Sequence, residues 1–178
     1  MSDITEELAK LKALRGSDFV GQLKIISSRH EFHALETDPK IFIAGGENDD
    51  DFPYLLNAAR KAVDHGYTVY ILPNPRDFRT ADFIFERKGL FRLYDLKTVH
   101  GKNSVDSQLA DSIGQTNRVL LNIETNFNPR LLGKAIKRYF EWNNEAVEVL
   151  IMKGNKLISV IREDTEGNSY IRNFMMKY

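Results

Sequence analysis

The sequence predicts a mixed α/β (α+β) fold with a central mixed sheet, and three observations predict it. Segments of helical apolar spacing alternate with short β-branched and aromatic runs, in the order helix, strand, strand, strand, helix, strand between Asp51 and Glu124. Two strand pairs turn at Gly-containing dipeptides, Lys88-Gly89 and Gly154-Asn155, which marks them as hairpins. A chain of 178 residues, 42% hydrophobic and 28% charged, can bury a core without metal or disulfide staples.

Each element has a local reason. Ile4, Leu8, Leu11 and Leu14 stand at helical spacing in ITEELAKLKALR, with Ser2 or Asp3 as cap and Gly16 as stop. DFVGQLKIISS and KIFIAGG are short apolar runs and read as strands. The acidic ENDDDFPYLLNAARKAVDHG supplies Asp caps, places Pro53 in a first turn and ends a helix at Gly66. YTVYILP then alternates as a strand does and closes in the turn PNPRD. A hairpin follows from Thr80 to Val99.

Val105, Leu109 and Ile113 lie four apart in NSVDSQLADSIGQT and predict an amphipathic helix, and RVLLNIE reads as a buried strand. NPRLLGKAIKRYFEWN opens on Asn128 as cap with Pro129 first in the helix. AVEVLIMKGNKLISVIRE is the closing hairpin, and the tail NSYIRNFMMKY is apolar enough to pack back. Residues 1–45 thus form an N-terminal appendage of a helix and short strands. The main domain is 46–178, an αβββαβ core with an extra C-terminal helix and hairpin.

Composition removes several function classes. With no cysteine, neither a disulfide framework nor a thiolate metal site exists. There is no run of about 18 apolar residues, and the N-terminus is acidic and amphipathic, so no membrane span or secretory signal is expected. The expected location is the cytoplasm, with no membrane partner. Lys plus Arg equals Asp plus Glu at 25 each, so any hold on nucleic acid must come from locally clustered cations.

The chemistry concentrates in TADFIFERKGLFRLYDLKTVHGK. Side chains alternate along a strand, so Asp95 and Lys97 share a face with Leu96 opposite. Asp82 lies on the neighbouring strand, 12 residues before Asp95, and a turn near Gly89 brings the two positions together. Adjacent carboxylates repel unless a cation sits between them, and hard oxygen ligands suit Mg²⁺ or Mn²⁺. A lysine beside such a metal can orient water or stabilise charge on a phosphate in transfer. The competing reading is an ordinary ion pair on the sheet.

These residues resemble the PD-(D/E)xK nuclease motif, and the element order is that of the restriction-endonuclease-like core. Thr80-Ala81 stand where that motif opens on proline. GYTVYILP, ADFIFERKGLFRLYDLKT and SVDSQLADSIGQTNRVLLNI are similar, more specifically, to the C-terminal tRNase domains of contact-dependent growth inhibition proteins and related polymorphic toxins. The similarity runs from about Asn48 to Ile161. It implies a metal-dependent nuclease acting on RNA, tRNA by resemblance, or on DNA. It also implies metal ligation by Asp82 and Asp95, catalysis by Lys97, and Gln115 facing the site from a helix end. Glu47 is taken as the acidic ligand ahead of them, with Asp49, Asp50 and Asp51 competing for that place. A cognate immunity or inhibitor protein comes with the resemblance, and the expected setting is a stand-alone, toxin-related or mobile-element-associated nuclease.

Two alternatives accompany this reading. In KTVHGK, His100 as general base with nearby lysines would serve a metal-independent ribonuclease of the barnase/EndoU/colicin/RelE-like kind. The other is a non-catalytic nucleic-acid or protein binding module of the same fold. Nucleic acid, RNA ahead of DNA, is the expected partner, with Arg87, Lys88, Arg92, Lys102 and Arg118 as its contacts. Lys134, Lys137 and Arg138, interleaved with aromatics, would also suit phosphate tracking. For that helix, a solvated face with Tyr139, Phe140 and Trp142 partly in the core is the favoured reading.

Overall fold

Lys88 takes φ 53° and Gly89 φ 79°, the two left-handed conformations of a type I′ turn. Their turn joins a strand over Phe83–Arg87 to one over Leu90–Val99, with Arg87 opposite Leu90. The structure is a computed structural model that describes residues 4–45, 49–75, 77–101 and 105–178. It divides into two units, Met1–Tyr94 and Asp95–Tyr178.

The first unit runs α1 (Ile4–Lys10), a 3₁₀ turn (Leu11–Ala13), α2 (Gly16–Ser27), β1 (His33–Ala34), β2 (Ile41–Ile43), α3 (Phe52–Asp64), β3 (Thr68–Ile71) and β4 (Phe83–Arg87). It takes in the first half of β5 (Leu90–Val99). Its strands pair in the order β1-β2-β3-β4-β5, antiparallel throughout except for β2 beside β3. The connection between those two parallel strands is α3, as a crossover requires. Pro53 sits in the first turn of α3, as expected.

The segment Gly16–Ser27 is a helix, not the expected strand. Strand alternation would put Phe19, Gly21, Leu23 and Ile25 on one face. Instead Leu23 and Ile26 are buried with Phe19 packed beside them, while Val20 and Ile25 are exposed. Spacings of four and three are those of a helix, and the branched residues of the run had concealed them. Leu23 and Ile26 bury with Ile4, Leu8 and Leu11 against Ile84 and Leu93 of the sheet. The α3 residues Leu55, Ala58, Ala59 and Ala62 are buried, and this helix packs on β2 and β3.

The second unit begins with the rest of β5 and continues through α4 (Val105–Asp111), β6 (Arg118–Ile123), α5 (Pro129–Trp142), β7 (Glu148–Lys153) and β8 (Lys156–Ile161). A 3₁₀ turn (Arg162–Glu166) and α6 (Tyr170–Lys177) complete it. The order is β5-β6-β7-β8, parallel for the first two pairings and antiparallel for the closing hairpin. The α4 helix ends at Asp111, short of Ile113, the last residue of the apolar spacing, which is exposed. At α5 the sequence signals hold. Asn128 Oδ1 accepts from Arg130 N at 2.9 Å and Leu131 N at 3.2 Å, and Pro129 follows directly.

Val119, Leu121, Val149, Ile151, Ile158 and Val160 share a core with Leu132, Ile136, Tyr139 and Phe140 of α5. Trp142, expected partly in that core, is 59% exposed. The tail does pack back. Tyr170 and Phe174 of α6 are buried, and Tyr170 donates its hydroxyl proton to Gly133 O at 2.7 Å. Burial pushes the Tyr170 phenol far above its ordinary pKa.

Gly133 permits this approach of α6 to α5. A Cβ there would lie 3.1 Å from Phe174 Cδ1 and 3.2 Å from Ile171 Cδ1. Gly133→Val is therefore expected to lose about 1–3 kcal/mol through overpacking. Urea unfolding measures it, and an unchanged midpoint would mean that the α5–α6 contact adjusts without cost.

Candidate active site

Asp95 and Lys97 stand on β5, opposite Val119 and Leu121 of β6. Period-two alternation puts them on one face with Val99, and Val99, Val119 and Leu121 all belong to the core beneath α5. Two charged side chains thus occupy positions of an apolar, helix-covered face. Asp95 is 2% exposed and the Lys97 side chain 16%. Lys97 Nζ lies 3.1 Å from Asp95 Oδ2, an ion-pair distance. The approach is off the direction a hydrogen bond needs, so Oδ2 has a charge partner but no hydrogen-bond donor among the described residues.

A buried polar cluster stands close to the pair. Ser112 Oγ and Asn143 Nδ2 lie 3.4 Å and 3.3 Å from the Tyr139 hydroxyl, at hydrogen-bonding distance. Burial pushes the Tyr139 phenol above its usual pKa, and the negative charge of Asp95 adds to that rise. The Ser112 and Asn143 hydrogen bonds and the Arg162 charge act the other way. Asp95 is therefore within electrostatic reach of Tyr139. Arg162 spans the end of α5, donating to Asn143 O at 2.6 Å and Ala146 O at 3.0 Å. Its Nη1 also donates to Phe140 O at 2.5 Å, a carbonyl in the last turn of α5 that the helix end leaves open.

The glutamine that touches β5 is Gln108. Its Nε2 donates to Thr98 O at 2.9 Å, and its Oε1 is buried with no hydrogen-bond partner among the described residues. Sequence reading passed it over, although Val105, Gln108 and Leu109 are spaced i, i+3, i+4 on one stripe of α4. A polar residue inside an apolar stripe was the available signal. Gln115, taken from the sequence as the site glutamine, donates instead to Asp111 O at 2.8 Å, within its own turn.

Asp82 belongs to the first unit and Asp95 to the second. The Asp82 backbone is held on both sides, N–H to Tyr94 O at 3.0 Å and C=O from Leu72 N at 2.9 Å. Asp82 is among the residues lining a small pocket at the start of α3, with Asp49, Asp51, Asn74 and Thr80. Glu47 and Lys102 lie outside the described residues. His100 follows directly on β5 with an exposed side chain. Among the described residues no three His, Cys, Asp or Glu side chains form a ready metal cage. The donor chemistry still fits a hard cation at Asp95, whose Oδ2 keeps unused acceptor capacity.

Among the cations expected to meet nucleic acid, Arg118 and Arg87 have partners within the protein. Arg118 Nη1 pairs with Glu148 Oε1 at 2.8 Å, and Ser159 Oγ donates to the other oxygen of that buried carboxylate. Arg87 stacks over Tyr67 at 4.3 Å and donates to His65 O. Lys88 forms the exposed hairpin turn, and Arg92 is half-buried.

The geometry predicts a large effect of unbalancing the buried pair. Lys97→Met strands the Asp95 carboxylate and is expected to cost about 3–5 kcal/mol, whereas the double variant Asp95→Asn/Lys97→Met loses less. Denaturant titration of the three proteins checks this. A loss under about 1 kcal/mol in Lys97→Met would class the pair with screened surface bridges.

Residues 79–158 match the sequence model of the family described as the contact-dependent growth inhibition CdiA C-terminal domain. No curated protein matches the chain. Among solved structures, a chain of the CdiA-CT/CdiI toxin and immunity complex from Burkholderia pseudomallei aligns with 14% identity and a TM-score of 0.47. The alignment covers 66% of this chain and 89% of that one. Over the stretch from Arg79 to Ile158, which holds Asp82, Asp95 and Lys97, the sequence is thus similar to that toxin-domain family.

Proposed function

We propose that the protein is a metal-dependent nuclease, cutting phosphodiester bonds in RNA, with a tRNA-like substrate ahead of DNA. One observation carries the reading: a buried carboxylate and a lysine two residues on, paired on one strand, with a carboxylate oxygen that has no hydrogen-bond donor among the described residues. The similarity of residues 79–158 to a growth-inhibition toxin domain supports it. An immunity or inhibitor protein is the partner that this similarity suggests.

In the proposed mechanism Asp95 supplies one metal ligand, and the motif supplies Asp82 and Glu47 as others. Mg²⁺ or Mn²⁺ held there would polarise a phosphoryl oxygen and activate water. A cation held at Asp95 would share in balancing the carboxylate charge that the Lys97 ammonium otherwise faces alone. The role proposed for Lys97 is to stabilise negative charge developing on the phosphate. Gln108 holds the strand that carries both groups by its bond to Thr98 O. Gln115 as a supporting amide and His100 as a proton carrier past the end of β5 complete the proposed catalytic set.

The test is cleavage of labelled tRNA, unstructured RNA and duplex DNA with Mg²⁺, with Mn²⁺ and with EDTA. Cleavage is expected with either metal and none with chelator, and Lys97→Ala is expected to lower kcat by about 10²-fold or more. Activity that survives EDTA but is lost in His100→Ala would replace this mechanism by the metal-independent ribonuclease. Mg²⁺ is also expected to raise the melting temperature, because it binds the native state, and Asp95→Asn to abolish the rise.

A further inference from the structure

Helix α5 carries four cations, Arg130, Lys134, Lys137 and Arg138, against one carboxylate, Glu141, in a chain whose net charge is zero. Its inner face is settled, since Leu132, Ala135, Ile136, Tyr139 and Phe140 are buried. At 100° per residue Arg130, Lys134 and Lys137 fall within about 60° of one another, on one line along the outer face. All three are exposed. A rise of about 1.5 Å per residue spreads them over roughly 10 Å. Arg138 is drawn aside by Asp106, with Nη2 2.9 Å from Oδ2, and Glu141 ends the cationic track.

Past that end, about 110° round the helix from the line of cations, stands Trp142, 59% exposed, an indole left in water at the close of a basic helix. A globular chain usually buries so large an aromatic, and this one has a single tryptophan. Cations in line, followed by an exposed aromatic ring, are the parts that hold single-stranded nucleic acid: ammonium and guanidinium groups track phosphates, and the ring stacks on a base. Arg118 and Arg87, engaged with Glu148 and Tyr67, are less available for that work.

We infer that the outer face of α5 and the flank at its C-terminal end form a docking surface for an unpaired nucleic-acid strand, with Arg130, Lys134 and Lys137 on successive phosphates and Trp142 stacked on a base. This rests on the nucleic-acid reading above and names where the substrate is held. The two are separable, because binding is measured without turnover. An acidic polypeptide would also meet the cations, but it has no base to place on Trp142.

The experiment uses the full chain in EDTA with a fluorescein-labelled single-stranded RNA across a salt series. Trp142, the sole tryptophan, reports directly by its own fluorescence with unlabelled RNA. Quenching on binding is expected, and Trp142→Ala should weaken affinity about 10-fold or more with the salt slope unchanged. The triple variant Arg130→Gln/Lys134→Gln/Lys137→Gln should flatten the slope of log K against log salt by about two, at roughly 0.7 per phosphate contact. Glutamine keeps the helix propensity of the residues it replaces, and circular dichroism checks the fold. An unchanged slope in the triple variant, or absent quenching, overturns the surface. So does an oligoglutamate that quenches and competes as well as RNA, which would assign the face to an acidic protein. Loss of cleavage with RNA binding intact would sink the nuclease reading and leave this surface standing.

Discussion

A carboxylate and an ammonium on the helix-covered face of a sheet are the constraint around which the second unit is arranged. Removing either charge from water costs several kcal/mol, and only close pairing and neighbouring dipoles offset that. Asp95 and Lys97 pair at 3.1 Å, yet the contact is poor as a hydrogen bond. A well-packed apolar pair would serve stability as well or better. An incompletely satisfied charge inside an otherwise apolar face therefore points to use rather than to stability.

The surroundings are arranged to keep such a pair in place. The parallel register of β5 on β6 sets the parity that turns both side chains inward. Gln108 fastens β5 at Thr98 from α4. Beneath the sheet, Tyr139, Ser112 and Asn143 form one hydrogen-bonded group, and Arg162 holds Phe140 O in the last turn of α5 and Asn143 O just past it. Packing of α6 over Gly133 presses α5 from outside. Each of these contacts limits how far the strand and its covering helix can shift.

Local chemistry made much of the fold legible. Asn128-Pro129 announces a helix start because an amide cap and a fixed φ act within three residues. Lys88-Gly89 announces a hairpin because only certain residues take two positive φ values in succession. The segment Gly16–Ser27 misled because its branched residues suit a strand. Which of its apolar side chains meet a core depends on elements far away in the chain. For the same reason Trp142 read as partly in the core although it is 59% exposed, and no local pattern announces the pairing of Arg118 with Glu148. Gln108 and Gln115 are both amides on or after one helix, and only the turn of that helix against β5 tells them apart.

What the sequence by itself determined is short-range. It covers the order of the αβββαβ elements, the caps and turns that bound them, and the placing of Asp95 and Lys97 on one face, since strand periodicity allows nothing else. The tertiary structure decided which face that is, how deeply the pair is buried, and which polar groups pack beside it. It also decided which cations are spent on internal carboxylates and which remain along α5. Burial and charge pairing are made between residues distant in the chain, so no local pattern encodes them.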